Sequence, residues 1–381
     1  MSSRTAIVGS IAVSVAFVME LTLVPLLLAL IEDEFALSIS QLAWVFNSYG
    51  FSVAVGVLLG GWLGDAFDTK RVFTFGVLFF ALGSAIVASA GSFETILAGR
   101  VLQGFGGGMF SPLVPLLLTK AAPARPGKVL IVWGSIVGYV AAFAPLTYST
   151  FLAETGWRTA FIIFSALSIG ALAIVQRSHV PADAEPQPLS ASRYSRLLEA
   201  RELWAMFAYV FCTYGAITFF LFRLPLWLAD KNYETVTIGL FLSLMWLSFS
   251  IVSTLLRNRV DEPSVGRILL AAPVFIASGF PLAYFHSEAI LVFVAPILVG
   301  SGLACSNAPS TQVILRFAPR GTTAISASLD ITFARLGGVA SVTLLAQSHF
   351  LNSYMTVVVM CIVATLCAAS IAKALTQVIR Q

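Results

Sequence analysis

The chain has 381 residues, of which 58% are hydrophobic and 10% charged, and its mean hydropathy is +0.92. A soluble domain carries about 25% charged residues to cover its surface, and disordered chains are polar and poor in aromatics, so 30 Phe and 7 Trp exclude both classes. The net charge of +4 comes from Lys and Arg in short loops between apolar runs, a distribution that orients membrane helices rather than one that grips nucleic acid.

A helix needs about 20 apolar residues to cross the hydrocarbon. The apolar runs predict twelve spans, at 6–31, 41–64, 71–91, 93–120, 127–152, 157–176, 203–229, 235–256, 265–285, 288–317, 320–346 and 349–376. The first is too long for a cleaved signal segment and reads as a spanning helix. The alternating pattern of transmembrane strands is absent, so the expected class is an all-α membrane protein. Most connections are short. The longer one, with Pro181, Pro186 and Pro188, predicts a central linker over 179–202 between a six-helix bundle at 1–178 and another at 203–381.

Counting Lys and Arg sets the orientation. Arg4, Lys70, Arg71, Lys120, Arg125, Lys128, Arg177, Arg193, Arg196, Arg201, Arg257, Arg259, Arg267, Arg316, Arg320, Lys373 and Arg380 fall on one side, and Arg158 and Lys231 on the other. Both termini and the linker are therefore expected in the cytoplasm. No Asn-x-Ser/Thr sequon occurs, which with the short loops points to a bacterial inner (plasma) membrane. Cys212, Cys305, Cys361 and Cys367 lie in apolar runs without metal spacing and read as small apolar side chains.

The two halves align when shifted by 196 residues: Asp65 falls on Asp261, Arg71 on Arg267, Phe79 on Phe275, Gly104 on Gly300, Gly106 on Gly302, and Lys120-x-Ala122-Pro123 on Arg316-x-Ala318-Pro319. Parallel six-helix repeats are an architecture of secondary transporters, with the substrate site at the midplane.

Charged side chains at bilayer depth are costly and usually functional. Five remain once the loops are set aside: Glu20, Arg100, Arg223, Asp330 and Arg335. At about 1.5 Å per residue, Glu20 lies roughly 16 Å and Arg100 roughly 11 Å below the outer ends of their spans, so the two can pair. A buried carboxylate whose arginine partner comes and goes binds and releases a proton, which is a coupling device; a permanent structural ion pair is the alternative. Asp330 and Arg335 are five residues apart, roughly 140° around a helix, and need other partners. Arg223 sits near the outer end of its span, where its stem can snorkel to water. Asn47, Gln103, Tyr139, Tyr148, Tyr214 and Asn307 are further polar candidates, for a cavity or for packing.

The stretch Gly61-Trp62-Leu63-Gly64-Asp65-Ala66-Phe67-Asp68-Thr69-Lys70-Arg71 resembles the signature loop G-x-L-a-D-r-x-G-r-k of the major facilitator superfamily, departing from it at Ala66, Asp68 and Thr69. Read physically, Gly61 allows close helix approach, Asp65 suits a helix N-terminus or an adjacent arginine, and Lys70 and Arg71 anchor the cytoplasmic surface. The resemblance implies that this loop latches the two halves. Arg100-Val101-Leu102-Gln103-Gly104-Phe105-Gly106-Gly107-Gly108 looks like the R-x-x-q-G-x-g-a-a motif of the twelve-helix drug:proton antiporter branch, which implies a role for Arg100 in proton transfer. Met19-Glu20-Leu21-Thr22 is similar to the acidic l-D-x-T motif of the same branch, with Glu for Asp. Trp44 with Tyr49, Gly156-Trp157-Arg158, and Phe317 to Gly338 resemble further elements of that branch. The antiporter motif g-x-x-x-G-P-x-x-G-G is reduced here to Ala144-Pro145-Leu146-Thr147-Tyr148-Ser149.

These readings predict a secondary transporter working by alternating access. It would export a small organic compound against protons, with Glu20 and Arg100 coupling and with Asp330, Arg335 and Arg223 as substrate or gating charges. The alternative is a proton-driven importer of an anionic or siderophore-like metabolite, suggested by the interior arginines and the reduced fifth-span motif. An enzyme is not expected, since His179, His286 and His349 are scattered and neither HExxH nor a P-loop occurs. No metal and no cofactor is implied. The expected partners are a small-molecule substrate, protons and the lipid bilayer, with the chain a monomer.

Overall fold

The computed structural model describes residues 2–178, 197–257, 259, 265–285, 289–319 and 322–379. Thirteen helices carry them: α1 Ser2–Phe35, α2 Ile39–Ala66, α3 Thr69–Ala88, α4 Phe93–Phe110, α5 Leu113–Ala121, α6 Pro126–Phe151, α7 Arg158–Gln176, α8 Arg201–Asp230, α9 Thr235–Leu256, α10 Val265–Phe285, α11 Ala289–Phe317, α12 Thr323–Leu345 and α13 Phe350–Ile379. No strand occurs among the described residues. Most of the expected linker, 179–196, lies outside them, as does Asp261.

Eleven helices are each long and apolar enough to cross a membrane, and the pair α4–α5, bent by 41°, makes a twelfth span if counted as one. The expected fourth span, 93–120, is therefore broken rather than continuous. The cause is Pro112, which has no amide to donate to Gly108 and whose ring crowds that carbonyl. Ser111 still closes the end of α4 with its amide on Gly107 O. Seven other prolines, Pro25, Pro145, Pro225, Pro273, Pro281, Pro296 and Pro309, sit inside continuous helices, as membrane helices tolerate. α1 runs 34 residues, roughly 51 Å at the standard rise, so it outreaches a hydrocarbon layer of about 30 Å.

The chain divides into two compact units. One carries α1 to α7 with Tyr233–Gly239; the other carries α8, the rest of α9, and α10 to α13. In the first unit Phe17, Phe73 and Phe80 meet the ring of Phe110 edge-on at 5.5, 5.9 and 5.7 Å between centroids. In the second, Phe207 stacks on Phe333 at 5.0 Å, and the buried Tyr209 hydroxyl donates to Leu269 O. All four cysteines lie in the second unit as free thiols, three buried and Cys367 partly exposed.

The helices approach at glycine, and the approaches repeat. A methyl group on Gly104 would strike the carbonyl of Tyr49; one on Gly300 would strike that of Met245. At Gly106 it would meet Gly76 O and Phe80 N, and at Gly302 Ala272 O and Ile276 N. At Gly83 the obstacle includes Gly99 O, and at Gly279 it includes Ala295 O. Each partner in the second unit lies 196 residues after its counterpart, so the shift seen in the sequence holds contact by contact. Membrane helices gain little from expelling lipid, and small residues let their backbones touch. Purified Gly106→Ala is expected to lose about 1–3 kcal/mol, the cost of overpacking. Gly170→Ala, in α7 with open space around it, should be neutral or gain up to about 1 kcal/mol of helix propensity. Thermal melts in detergent compare the two.

Candidate functional site

The first unit encloses an ion pair. Glu20 of α1 and Arg100 of α4 are each 1% exposed, and Arg100 Nη1 donates to Glu20 Oε1 at 2.6 Å. The same nitrogen donates to Gln103 Oε1 at 2.7 Å, and Nε donates to the Val45 carbonyl at 3.1 Å. The guanidinium lies 4.4 Å from the centre of the Tyr49 ring and 6.0 Å from that of Phe161, close enough for cation–π attraction. Gln103 Nε2 donates to Ser84 Oγ at 2.9 Å, and Ser84 in turn donates to Phe80 O. Five helices thus hold one arginine. Only one oxygen of Glu20 is used, for Oε2 is buried with no hydrogen-bond partner among the described residues.

Local sequence explains the geometry. Arg100 and Gln103 are three apart on α4 and share a face. The glycines at 99, 104, 106 and 108 press α4 against α2 and α3, while Gly107 meets Phe17 of α1. Arg100 is therefore turned toward α1, where Glu20 waits. The pairing of Glu20 with Arg100 was legible from depth alone. Ser84, Val45 and Tyr49 as its supports were not, although a buried Ser and Gln facing each other across glycine-tight helices are a usable signal.

The charge pair breaks the repeat. The positions 196 residues after Glu20 and Arg100 are Ala216 and Pro296. The second unit builds the same glycine contacts without this pair, so the helix packing does not require it.

In the signature stretch, the structure accounts for two departures. Asp68 caps α3, its Oδ1 accepting from the Arg71 amide at 2.9 Å. Thr69 Oγ1 accepts from Lys120 Nζ at 3.1 Å, tying α5 to α3. Lys70 Nζ donates to Ser178 O at 2.7 Å and Gln176 O at 3.2 Å, a cation on the last carbonyls of α7. Leu63 O closes α2 by accepting from the Phe67 amide, Gly61 is half-buried, and the Arg71 side chain is exposed. Asp65 falls in the last turn of α2, and its side chain lies outside the description. At the other end of the unit, Glu34 accepts from Trp157 Nε1 at 2.8 Å and Arg158 Nη1 at 2.6 Å, while Arg158 Nη2 reaches Ala90 O. Glu34 was not anticipated as the partner of the Trp157-Arg158 element.

In the second unit, Asp330 of α12 accepts from Thr311 Oγ1 of α11 at 2.5 Å and is 6% exposed. Arg335 is half-buried and makes no ion pair with Asp330. Tyr214 of α8 lies within electrostatic reach of both. Arg223 stands apart, lining a small apolar cleft of about 30 Å³ with Phe219, Phe220, Leu224, Trp227 and Phe280. Among the polar candidates, Tyr148 is buried with its hydroxyl donating to Gly156 O, whereas Tyr139 is 65% exposed.

Residues 9–342 match the family profile of the Major Facilitator Superfamily. The chain belongs to this superfamily. The tetracenomycin C resistance and export protein of Streptomyces glaucescens is 26% identical over 353 residues, 87% of this chain and 62% of that protein. The methylenomycin A resistance protein of Bacillus subtilis is 28% identical over 182 residues, 46% of this chain and 38% of that protein. The chain thus spans less than two thirds of the length of these relatives. The crystal structure of a D-xylose-proton symporter shares the fold, with a TM-score of 0.76, 14% identity and 97% of each chain covered. The fold is the twelve-helix major facilitator fold of two six-helix repeats.

Within that fold the buried pair carries a measurable signature. Arg100→Ala leaves the buried Glu20 carboxyl without its partner and is expected to cost about 3–5 kcal/mol. The double variant Glu20→Gln/Arg100→Ala should melt above Arg100→Ala alone. A double variant that melts no higher would show that the abandoned carboxylate is not the source of the loss.

Proposed function

We propose that this major facilitator transporter exports a small organic compound in exchange for protons, with Glu20 as the proton-binding group and Arg100 as its switch partner. The observation that carries the reading is the buried Glu20–Arg100 pair with Glu20 Oε2 left over. One proton added at Oε2 converts the carboxylate to a neutral carboxyl and releases its hold on Arg100. The arginine keeps its charge and still has Gln103 Oε1, Val45 O and the Tyr49 ring as neighbours. Those neutral acceptors and the ring offset part of the penalty for a buried cation whose carboxylate has been neutralised. The absence of the pair from the second repeat supports a task beyond packing. The likeness to a tetracenomycin C resistance and export protein supports export.

In this reading Asp330, Arg335 and Arg223 are the second unit's charges for substrate or for partner exchange between states. The stretch around Gly61, Leu63, Asp65, Lys70 and Arg71 is the cytoplasmic latch. Both termini face the cytoplasm of a bacterial inner membrane, and the chain acts as a monomer.

Expression in a host stripped of its own exporters, with untargeted mass spectrometry of cells and medium, tests the proposal. Compounds are expected to appear in the medium with the native chain. They should return to background with a proton uncoupler and with Glu20→Gln. A Glu20→Gln variant that still expels them in an uncoupler-sensitive way would remove Glu20 from coupling, and compounds gathering inside the cells would reverse the direction.

A further inference from the structure

Asp330 is the buried carboxyl group of the second unit. Its surroundings differ in kind from those of Glu20. Its one hydrogen-bond donor among the described residues is a neutral hydroxyl, Thr311 Oγ1 at 2.5 Å, and it makes no ion pair there. The helices packed on α12 are α8 and α11. The titratable group that α8 brings within reach is Tyr214. α11 brings Thr311 and, five residues further on, Arg316, which is exposed. On α12 itself, Arg335 lies roughly 7.5 Å further along the axis and well around the helix. One turn before Asp330, the hydroxyl of Ser326 is fully buried without a partner among the described residues. Among the described residues no cation therefore sits on this carboxyl, and a buried acid without one is stable only when neutral.

The repeat shows that packing does not demand an acid here. The positions 196 residues before Asp330 and Thr311 are Gly134 and Pro115. Gly134 has open space around it. Asp330 also retains 6% exposure.

We propose that Asp330 is a second proton-binding carboxyl, protonated while Thr311 holds it, so that each unit carries one buried acid among the described residues. Asp330 gives up its proton to water when it leaves Thr311. Its place in a transport cycle rests on the proton-coupled reading above; its protonation does not.

Infrared spectroscopy of the purified full chain in detergent at neutral pH tests this without a substrate. The native protein should show the carbonyl stretch of a protonated carboxyl group. That band should vanish in Asp330→Asn, remain in Glu20→Gln, and shift in Thr311→Val, which keeps the acid but removes its hydroxyl partner. Transfer to heavy water should move the band as fast as the medium is exchanged. A spectrum unchanged by Asp330→Asn would mean that Asp330 is ionised and would overturn the proposal. A band lost with Glu20→Gln instead would assign the proton to Glu20 and do the same. A band that resists heavy water for hours would make Asp330 a sealed structural acid rather than a proton carrier. Should Asp330→Asn not purify as a monodisperse species, Thr311→Val alone decides, since no shift there excludes a carboxyl proton at this contact. Among these outcomes only a band lost with Glu20→Gln bears on Glu20, and the others leave its part in transport untouched.

Discussion

Contact of backbone with backbone is the constraint on which this structure depends. Lipid gives membrane helices little reason to associate, so their closeness must come from surfaces that fit. Here α4 lies against α2 and α3 through Gly104, Gly106 and Gly108, with Gly83 and Gly99 completing the seam. The fit removes α4's freedom to rotate. One face then remains for α1, and on that face stands Arg100. Without the seam, an arginine on a mobile helix would seek water or lipid headgroups. With it, the guanidinium is delivered to Glu20, Gln103 and Val45 at bonding distance.

The duplicated scaffold separates what the fold needs from what it was given. Glycine contacts recur at a fixed offset in both units, so they belong to the architecture. The charges do not recur: Glu20 and Arg100 answer to Ala216 and Pro296, and Asp330 to Gly134. A charged group within a spanning helix is tolerated only at a cost, and the partner repeat shows that the same helices pack without paying it. Internal symmetry thus acts as a built-in control within one chain.

Much of the fold was legible because the bilayer restricts the vocabulary. Length and hydropathy alone placed the spans, and the spacing of Gly104, Gly106, Gly300 and Gly302 exposed the repeat. The depth argument brought Glu20 and Arg100 together. What escaped was local stereochemistry. Pro112 breaks the fourth span because of a missing amide, a detail that a hydropathy window averages away. Asp68 and Thr69 read as losses from a motif, yet one caps α3 and the other receives Lys120. Ser84 and Thr311 were invisible as partners, since a hydroxyl in an apolar run usually bonds its own helix. Their roles emerge only when a second helix is set beside them.

The placement of sulfur opens a practical route into this molecule. Every native thiol lies in the second unit, and three of the four are buried. A thiol reagent reacts with the exposed, ionisable sulfur and passes over those in apolar surroundings. Replacing Cys367 therefore clears most of the background, and the first unit is free of sulfhydryl competitors as it stands. A single cysteine introduced on the open side of α6, at Gly127 or Gly134 where added atoms meet nothing, would carry a fluorophore or spin label on that unit. The distribution of four small side chains makes the chain a nearly ready substrate for site-directed labelling.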